Sequence, residues 1–427
     1  MLVGQGPRRV AVVGGVRIPF ARANGAYRDQ GNQDLLTATL RALVARYGLA
    51  GQRIGEVAAG AVMKHPAQWN LTREAVLASG LAAETPGLEV QRGDGTSLEA
   101  AILLANKIAL GQIDSGVAAG VDSVSDPPVV FPKSFQQLLL RSYRTATAAA
   151  RWSSWLALRP RDLRPVLPGL TEPRTGLSMA ASTEGLVKRW GVSRAEQDQY
   201  ALESHAKAAA AYESGFYRNL VHGHSGIAED DQIRRDSNLD QLASQPTLFD
   251  AASATLSAGN STAATDGAAA VLLATEEWAR ERDLPVLAYL RQGKVAAVDF
   301  EHTPANLGLG SVFAVAQLLA DAHLSLQDFD YYEFHEASAA QVLVSLAAWN
   351  DPVFCRERLG EPGALGVVNR TRLNVKGGSL ALGHPCAATG ARLLATLAQL
   401  LDEARVKRGL VSVCTAGGMG VAAILER

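Results

Sequence analysis

The chain has 427 residues, 48% of them hydrophobic, and a formal net charge of -1 at neutral pH. That length suggests two or three packed units with room for a large core, and the charge balance gives no reason to bind nucleic acid. Three widely spaced cysteines without a CxxC pair argue against a disulfide framework and for a reducing compartment. The eight histidines show no metal-ligand spacing, so no metal is expected.

In chain order, "RRVAVVGGVRIPF" (Arg8 to Phe20) opens as a buried-strand run ending in glycines. "DLLTATLRALVARYG" (Asp34 to Gly48) predicts an amphipathic helix with Gly48 at its C-cap. "IGEVAAGAVM" (Ile54 to Met63) predicts a strand. "EVQRGDGTSLEAAILLANKIALG" (Glu89 to Gly111) predicts a short strand, a glycine-flanked turn and a helix, with Asp94 at the turn. "SGVAAGVDSVS" (Ser115 to Ser125) predicts another strand. Alternation of this kind favours a mostly parallel sheet covered by helices, an α/β architecture.

From Pro127 to Asp250 the texture changes. "SRAEQDQYALESHAKAAAAYESGFY" predicts a helix that Ser193 and Glu196 open as a capping box. Alternation resumes near Ala254. "AILLANKIAL" (Ala101 to Leu110) echoes "ARLLATLAQL" (Ala391 to Leu400), a weak sign of internal duplication. There is no N-terminal apolar leader pattern and no run of about 18 apolar residues, so a soluble cytoplasmic protein is expected, with peripheral membrane contact left open.

Four segments in the second half carry reactive residues on small-residue turns: "SAGNSTAATDGAAA", "FHEASAAQ", "NVKGGSLALGHPCAATGAR" and "VSVCTAGGMGVAAIL". They bring His335, His384 and Cys414 to strand ends beside glycines. Taken singly, each has a structural explanation as a turn residue or a buried small hydrophobe. Together they suit carbon–carbon chemistry at a thioester, where an enolate oxygen needs N–H donors and the α-carbon needs an acid or base.

Here the sequence resembles the thiolases over nearly its whole length. "VRIPFAR", "AGNSTAATDGAAA", "HEASAAQ", "GGSLALGHPCAATGAR" and "CTAGGMG" match the family's ordered motifs. The His-Glu form of the third resembles the thiolase β-subunits of fatty-acid oxidation complexes. The resemblance implies two similar βαβαβαββ halves in a five-layer α-β-α-β-α arrangement, with an inserted loop domain over the active site. The corresponding boundaries are 1–126 for the first part of the N-terminal half, 127–250 for the loop domain, 251–283 for the end of that half and 284–427 for the C-terminal half. It implies acyl transfer between 3-ketoacyl-CoA and CoA, with CoA thioesters as substrates and no permanently bound cofactor. It assigns His384 to nucleophile activation and Cys414 to α-proton transfer. One oxyanion hole is assigned to the Ala416 and residue-94 N–H groups, and the other to His335. A looser match places Thr262, with Ser261, near the CoA pantetheine.

One position departs from the family. "QRGDGTSLEAA" aligns without gaps, so Asp94 stands where a working thiolase has its nucleophilic Cys. Three readings follow: a degradative thiolase that has lost acyl-enzyme thiolysis, a relative doing decarboxylation or hydrolysis on CoA thioesters without an acyl-enzyme, or a non-catalytic CoA-binding subunit. The block 131–164 carries seven Lys and Arg residues against Asp162 alone, together with Phe131, Phe135, Trp152 and Trp155. It reads as a solvated helical surface, or as a contact for an anionic membrane or a hydratase/dehydrogenase α-subunit. A homodimer or dimer of dimers is implied by the resemblance.

Overall fold

The structure, a computed structural model, describes residues 7–169, 171–249 and 253–427. Its strands are β1 (Ala11–Arg17), β2 (Ala21–Arg22), β3 (Glu56–Ala59), β4 (Gly87–Glu89), β5 (Ser115–Asp122), β6 (Thr265–Ala274), β7 (Ala288–Ala297), β8 (Tyr331–Phe334), β9 (Arg408–Thr415) and β10 (Met419–Glu426). They join in the order β4-β3-β5-β6-β1-β7-β10-β9-β8, with β2 on β6. β1 and β7 meet over a short register, Ala11 with Tyr289 and Val12 with Ala288.

The two sides of that junction repeat one pattern. β1 is antiparallel to β6, β6 antiparallel to β5, and β5 parallel to β3. In the second half β7 is antiparallel to β10, β10 antiparallel to β9, and β9 parallel to β8. The faint sequence echo therefore reflects a repeated topology.

β1, β5, β6 and β9 are buried throughout and lack polar alternation because both sheet faces are covered there. Successive residues point to opposite faces, so neighbours enter different cores. Val411, Val413, Val421 and Ala423 join the central core, and Leu410, Ala422 and Ile424 the outer one of the second half. Ala118 and Ala119 divide likewise between the central core and the outer core of the first half. The central core is filled by the two echoing helices, Thr96–Ala109 and Thr389–Ala404. Gly390 lets them touch, since a Cβ there would lie 2.5 Å from the Leu98 backbone nitrogen. The layers thus run helix, sheet, helix, sheet, helix.

Some expected boundaries shift. The first helix runs Asn32–Arg46, because Asp34 sits one turn inside it and accepts from the Gly31 N–H at 3.0 Å. Tyr47 is its C-cap, and Gly48 turns left-handed one residue later. The expected strand Ile54–Met63 narrows to Glu56–Ala59. The Ser193–Glu196 box opens the helix Arg194–Glu213. The stretch Pro304–Ala322 is long and apolar enough to cross a membrane, yet is mostly buried in the outer core of the second half.

The expected 127–250 block divides. Pro127–Leu170 and Met63–Trp69 form a compact unit of their own, while the chain from Thr171 belongs to the large unit. The reason is packing: Leu186, Tyr200 and Ala201 fill the outer core, and Ala208 and Ala211 fill the central one. Asp250 lies outside the described residues. Within the small unit, buried Phe135 contacts Phe131 and Trp155 edge-on.

Candidate active site

The turn that carries Asp94 is built by hydroxyl groups. Thr96 donates its hydroxyl to the Gly93 carbonyl at 2.6 Å and accepts from the Arg92 N–H at 2.9 Å. Gly93 is left-handed at φ +51°, and a side chain there would strike the Thr415 hydroxyl. That same hydroxyl accepts from the Asp94 N–H at 3.2 Å and donates to the Arg92 carbonyl at 3.1 Å. The turn before one central helix is thereby stitched to the end of β9, which carries Cys414.

His384 arrives on a loop pinned by Thr265, whose hydroxyl accepts from the His384 N–H at 2.9 Å. Its Nδ1 is 2.7 Å from the Thr389 hydroxyl, which fixes the ring. Its Nε2 is 2.9 Å from Asp94 Oδ1. Asp94 Oδ2 accepts from the Ala416 N–H at 3.3 Å. The carboxylate therefore spans the expected activating histidine and one N–H of the expected oxyanion hole. The other N–H of that hole, Asp94's own, is taken by Thr415. Burial would raise the Asp94 pKa, but the His384 hydrogen bond and charge, the His335 charge and the Ala416 N–H outweigh it and lower it to about 2.

His335 follows β8, and its ring lies 4.2 Å from that of His384, centroid to centroid. Its Nδ1 is 2.9 Å from the Ser379 hydroxyl. Buried Arg392 donates to that hydroxyl oxygen at 2.7 Å. Arginine only donates, so the Ser379 hydrogen is free to point at Nδ1, which leaves the imidazole hydrogen on Nε2. Burial, and then the charge of His384, hold the His335 pKa well below its usual value, so the ring is neutral at pH 7. A neutral His335 with Nε2–H suits an oxyanion donor.

Glu336 orders the His335 loop. It accepts from the hydroxyls of Tyr200 at 3.0 Å and Ser204 at 2.9 Å, from the Asn374 amide at 2.6 Å and from the Leu380 N–H at 3.1 Å. Cys414 is buried, and burial followed by the Asp94 charge pushes its thiol up to about 12. It can donate a proton at neutral pH and is a poor base without help.

Ser261 and Thr262 lie on the loop before β6. Thr262 spends its hydroxyl on the Ser379 carbonyl at 2.7 Å, whereas the Ser261 hydroxyl is buried without a partner among the described residues. Two contributors escaped the sequence reading. Glu172, from the excursion, accepts from the Gly417 N–H at 2.7 Å beside Ala416. Cys386 brings its sulfur into one cluster with Asp94 and His384, with all ligand atoms within 4.8 Å of one another. A histidine–proline–cysteine run was the available signal. Cys355 is buried elsewhere, against the carbonyls of Ala348 and Trp349.

Comparison with known proteins gives the family. Residues 10–277 match the thiolase N-terminal domain and residues 284–427 the thiolase C-terminal domain. The chain is 37% identical to the 3-ketoacyl-CoA thiolases of Yersinia pestis and Yersinia pseudotuberculosis, covering 98% of this chain and 97% of theirs. The acetyl-CoA acetyltransferase of Bacillus anthracis superposes with a TM-score of 0.82 at 28% identity, over 99% of this chain and 100% of that one. Human mitochondrial 3-ketoacyl-CoA thiolase, also solved in complex with CoA, gives 0.80 at 27% identity over 98% of both chains. The chain belongs to the thiolase family of acyltransferases.

Proposed function

We propose that this thiolase-family chain binds 3-ketoacyl-CoA and CoA, as in fatty-acid β-oxidation, but that Asp94 abolishes acyl-enzyme thiolysis or leaves it very weak. The observation that carries this reading is the Asp94 carboxylate lying across His384 Nε2 and the Ala416 N–H. Thiolysis needs a thiolate that exchanges one thioester for another of nearly equal energy. A carboxylate would give a mixed anhydride, far uphill of a thioester. Its pKa of about 2 also marks a strongly stabilised, weakly nucleophilic anion. Its oxygen further competes with any substrate oxyanion for the Ala416 donor. The test compares acetyl-CoA formation from 3-ketoacyl-CoA plus CoA by this chain and by Asp94→Cys. Ordinary turnover by the unaltered chain would contradict the proposal.

A second reading rests on the half of the site that Asp94 leaves intact. His335 is neutral with a hydrogen on Nε2, and Cys414 keeps its proton. These suit an enolate formed without an acyl-enzyme. Loss of carbon dioxide from a malonyl thioester leaves an enolate whose oxygen takes the His335 N–H and whose carbon takes the Cys414 proton. Acetyl-CoA appearing from malonyl-CoA alone would support it.

Assembly and surface belong to the same proposal. β4 ends the sheet, so a second copy can add its own β4 there, in keeping with a homodimer. In the small unit Arg141, Arg144 and Arg151 are exposed beside Tyr143, Trp152 and Leu156. That combination of basic and apolar side chains suits an anionic membrane surface of a cytoplasmic protein.

A further inference from the structure

We propose that Asp94, His384 and Cys386 form a binding site for a zinc-class divalent cation in the catalytic pocket. This goes beyond the acyl-transfer reading and does not depend on it. The three ligand atoms already lie within 4.8 Å of one another. A tetrahedral zinc ion has ligands at about 2.0–2.3 Å, which sets ligand–ligand separations of about 3.3–3.6 Å. Asp94 Oδ1 and His384 Nε2, now at 2.9 Å, need only part slightly, and the Cys386 sulfur already lies within 4.8 Å of their ligand atoms.

The surroundings match what such ligands require. Metal-bound histidines hold their second ring nitrogen in a hydrogen bond, and metal-bound carboxylates hold their free oxygen in one. His384 Nδ1 meets Thr389 at 2.7 Å, and Asp94 Oδ2 meets the Ala416 N–H at 3.3 Å. The Cys386 loop is anchored by the Ala387 N–H, which donates to Asp122 at 2.8 Å. With those outer atoms held, the remaining atoms, Asp94 Oδ1 and His384 Nε2, face each other across the site and are now bonded to one another.

Charge and softness select the ion. Once zinc has displaced the Cys386 thiol proton to solvent, one carboxylate, one thiolate and one neutral imidazole cancel its divalent charge, which suits a half-buried pocket. Imidazole and thiolate favour zinc or cobalt over magnesium or calcium. The Asp94 and His384 side chains are 19% and 10% exposed, so solvent reaches the cluster and can supply a fourth ligand. In a thiolase with Cys at position 94 the same pocket would hold the nucleophile. Here it holds a hard oxygen donor between a nitrogen and a sulfur.

The test uses the full chain without a histidine tag, stripped with EDTA and titrated with zinc chloride by calorimetry. One zinc per chain is expected. Asp94→Asn and Cys386→Ser should each weaken binding by at least about tenfold, as loss of a direct ligand should cost no less than loss of its supporting hydrogen bond. Cobalt(II) should give a thiolate-to-metal absorption band that Cys386→Ser abolishes and Cys355→Ser leaves in place. Circular dichroism checks that each variant is folded. Absence of stoichiometric zinc binding, or a cobalt band that survives Cys386→Ser, overturns the proposal. No step of the test measures turnover, so its failure is separate from failure of the acyl-transfer reading.

Discussion

Replacing Asp94 by Asn removes the charge at nearly constant volume and keeps an acceptor for the Ala416 N–H. The folded protein holds the Asp94 pKa at about 2 against an ordinary 3.8. At about 1.4 kcal/mol per pH unit, that difference is worth about 2 kcal/mol of folding stability. The side chain is 19% exposed, so solvent screens the interaction only weakly. The folded state favours the ionised form. The stabilisation is therefore full above about pH 4 and disappears as the pH falls from about 4 toward 2. Urea unfolding of both proteins, followed by tryptophan fluorescence across a pH series, should show Asp94→Asn less stable by about 2 kcal/mol at pH 6. The gap should close as the medium is acidified. A gap that stays constant with pH, or an Asn variant that is more stable at pH 6, would refute the ion-pair reasoning.

Gly93→Ala forces a side chain onto a left-handed backbone and into the Thr415 hydroxyl, and should cost at least about 1–2 kcal/mol by the same urea assay. Burial pushes Glu333 up to about 8, so the folded state prefers it protonated and loses stability as pH rises from about 4.5 to 8. Glu333→Gln should flatten that loss, which a thermal-unfolding series from pH 5 to 9 would reveal. In an Asp94→Cys background, Ser379→Ala should lower kcat more than it raises KM, because it frees the His335 tautomer without removing a substrate contact. Neutralising Arg141, Arg144 and Arg151 together should abolish salt-sensitive binding to vesicles rich in anionic lipid, read by co-sedimentation.

The thiolase fold was legible from motif order and from strands without polar alternation, because sheets covered on both faces bury β1, β5, β6 and β9 throughout. The capping box at Ser193 was legible because its two side chains act within one turn. The division of the 127–250 block was not. Its helices Met179–Trp190 and Arg194–Glu213 are polar enough to look like an excursion, yet they place Leu186, Tyr200 and Ala208 in the main cores. In the site, Asp94, His335, His384, Cys414 and Ala416 were named by matching motifs to the resembling family, and the structure joins Asp94 to His384 and Ala416 by hydrogen bonds and sets the His335 ring beside that of His384. What register could not give was the direction of each hydrogen bond. Asp94 reaching Ala416 depends on how the Gly93 turn meets β9, far away in sequence. Glu172 was missed for the same reason, since it carries no spacing signal toward Gly417, whereas Cys386 stands two residues past His384 and its histidine–proline–cysteine run was passed over.

The central claim is that Asp94 alone separates this chain from a working acyl-enzyme catalyst. A stopped assay of 3-ketoacyl-CoA with CoA, comparing the unaltered chain with Asp94→Cys, measures that directly. The account predicts acetyl-CoA formation and a trapped acyl-cysteine only in Asp94→Cys. Thiolysis by the unaltered chain at a rate equal to that of Asp94→Cys would contradict it.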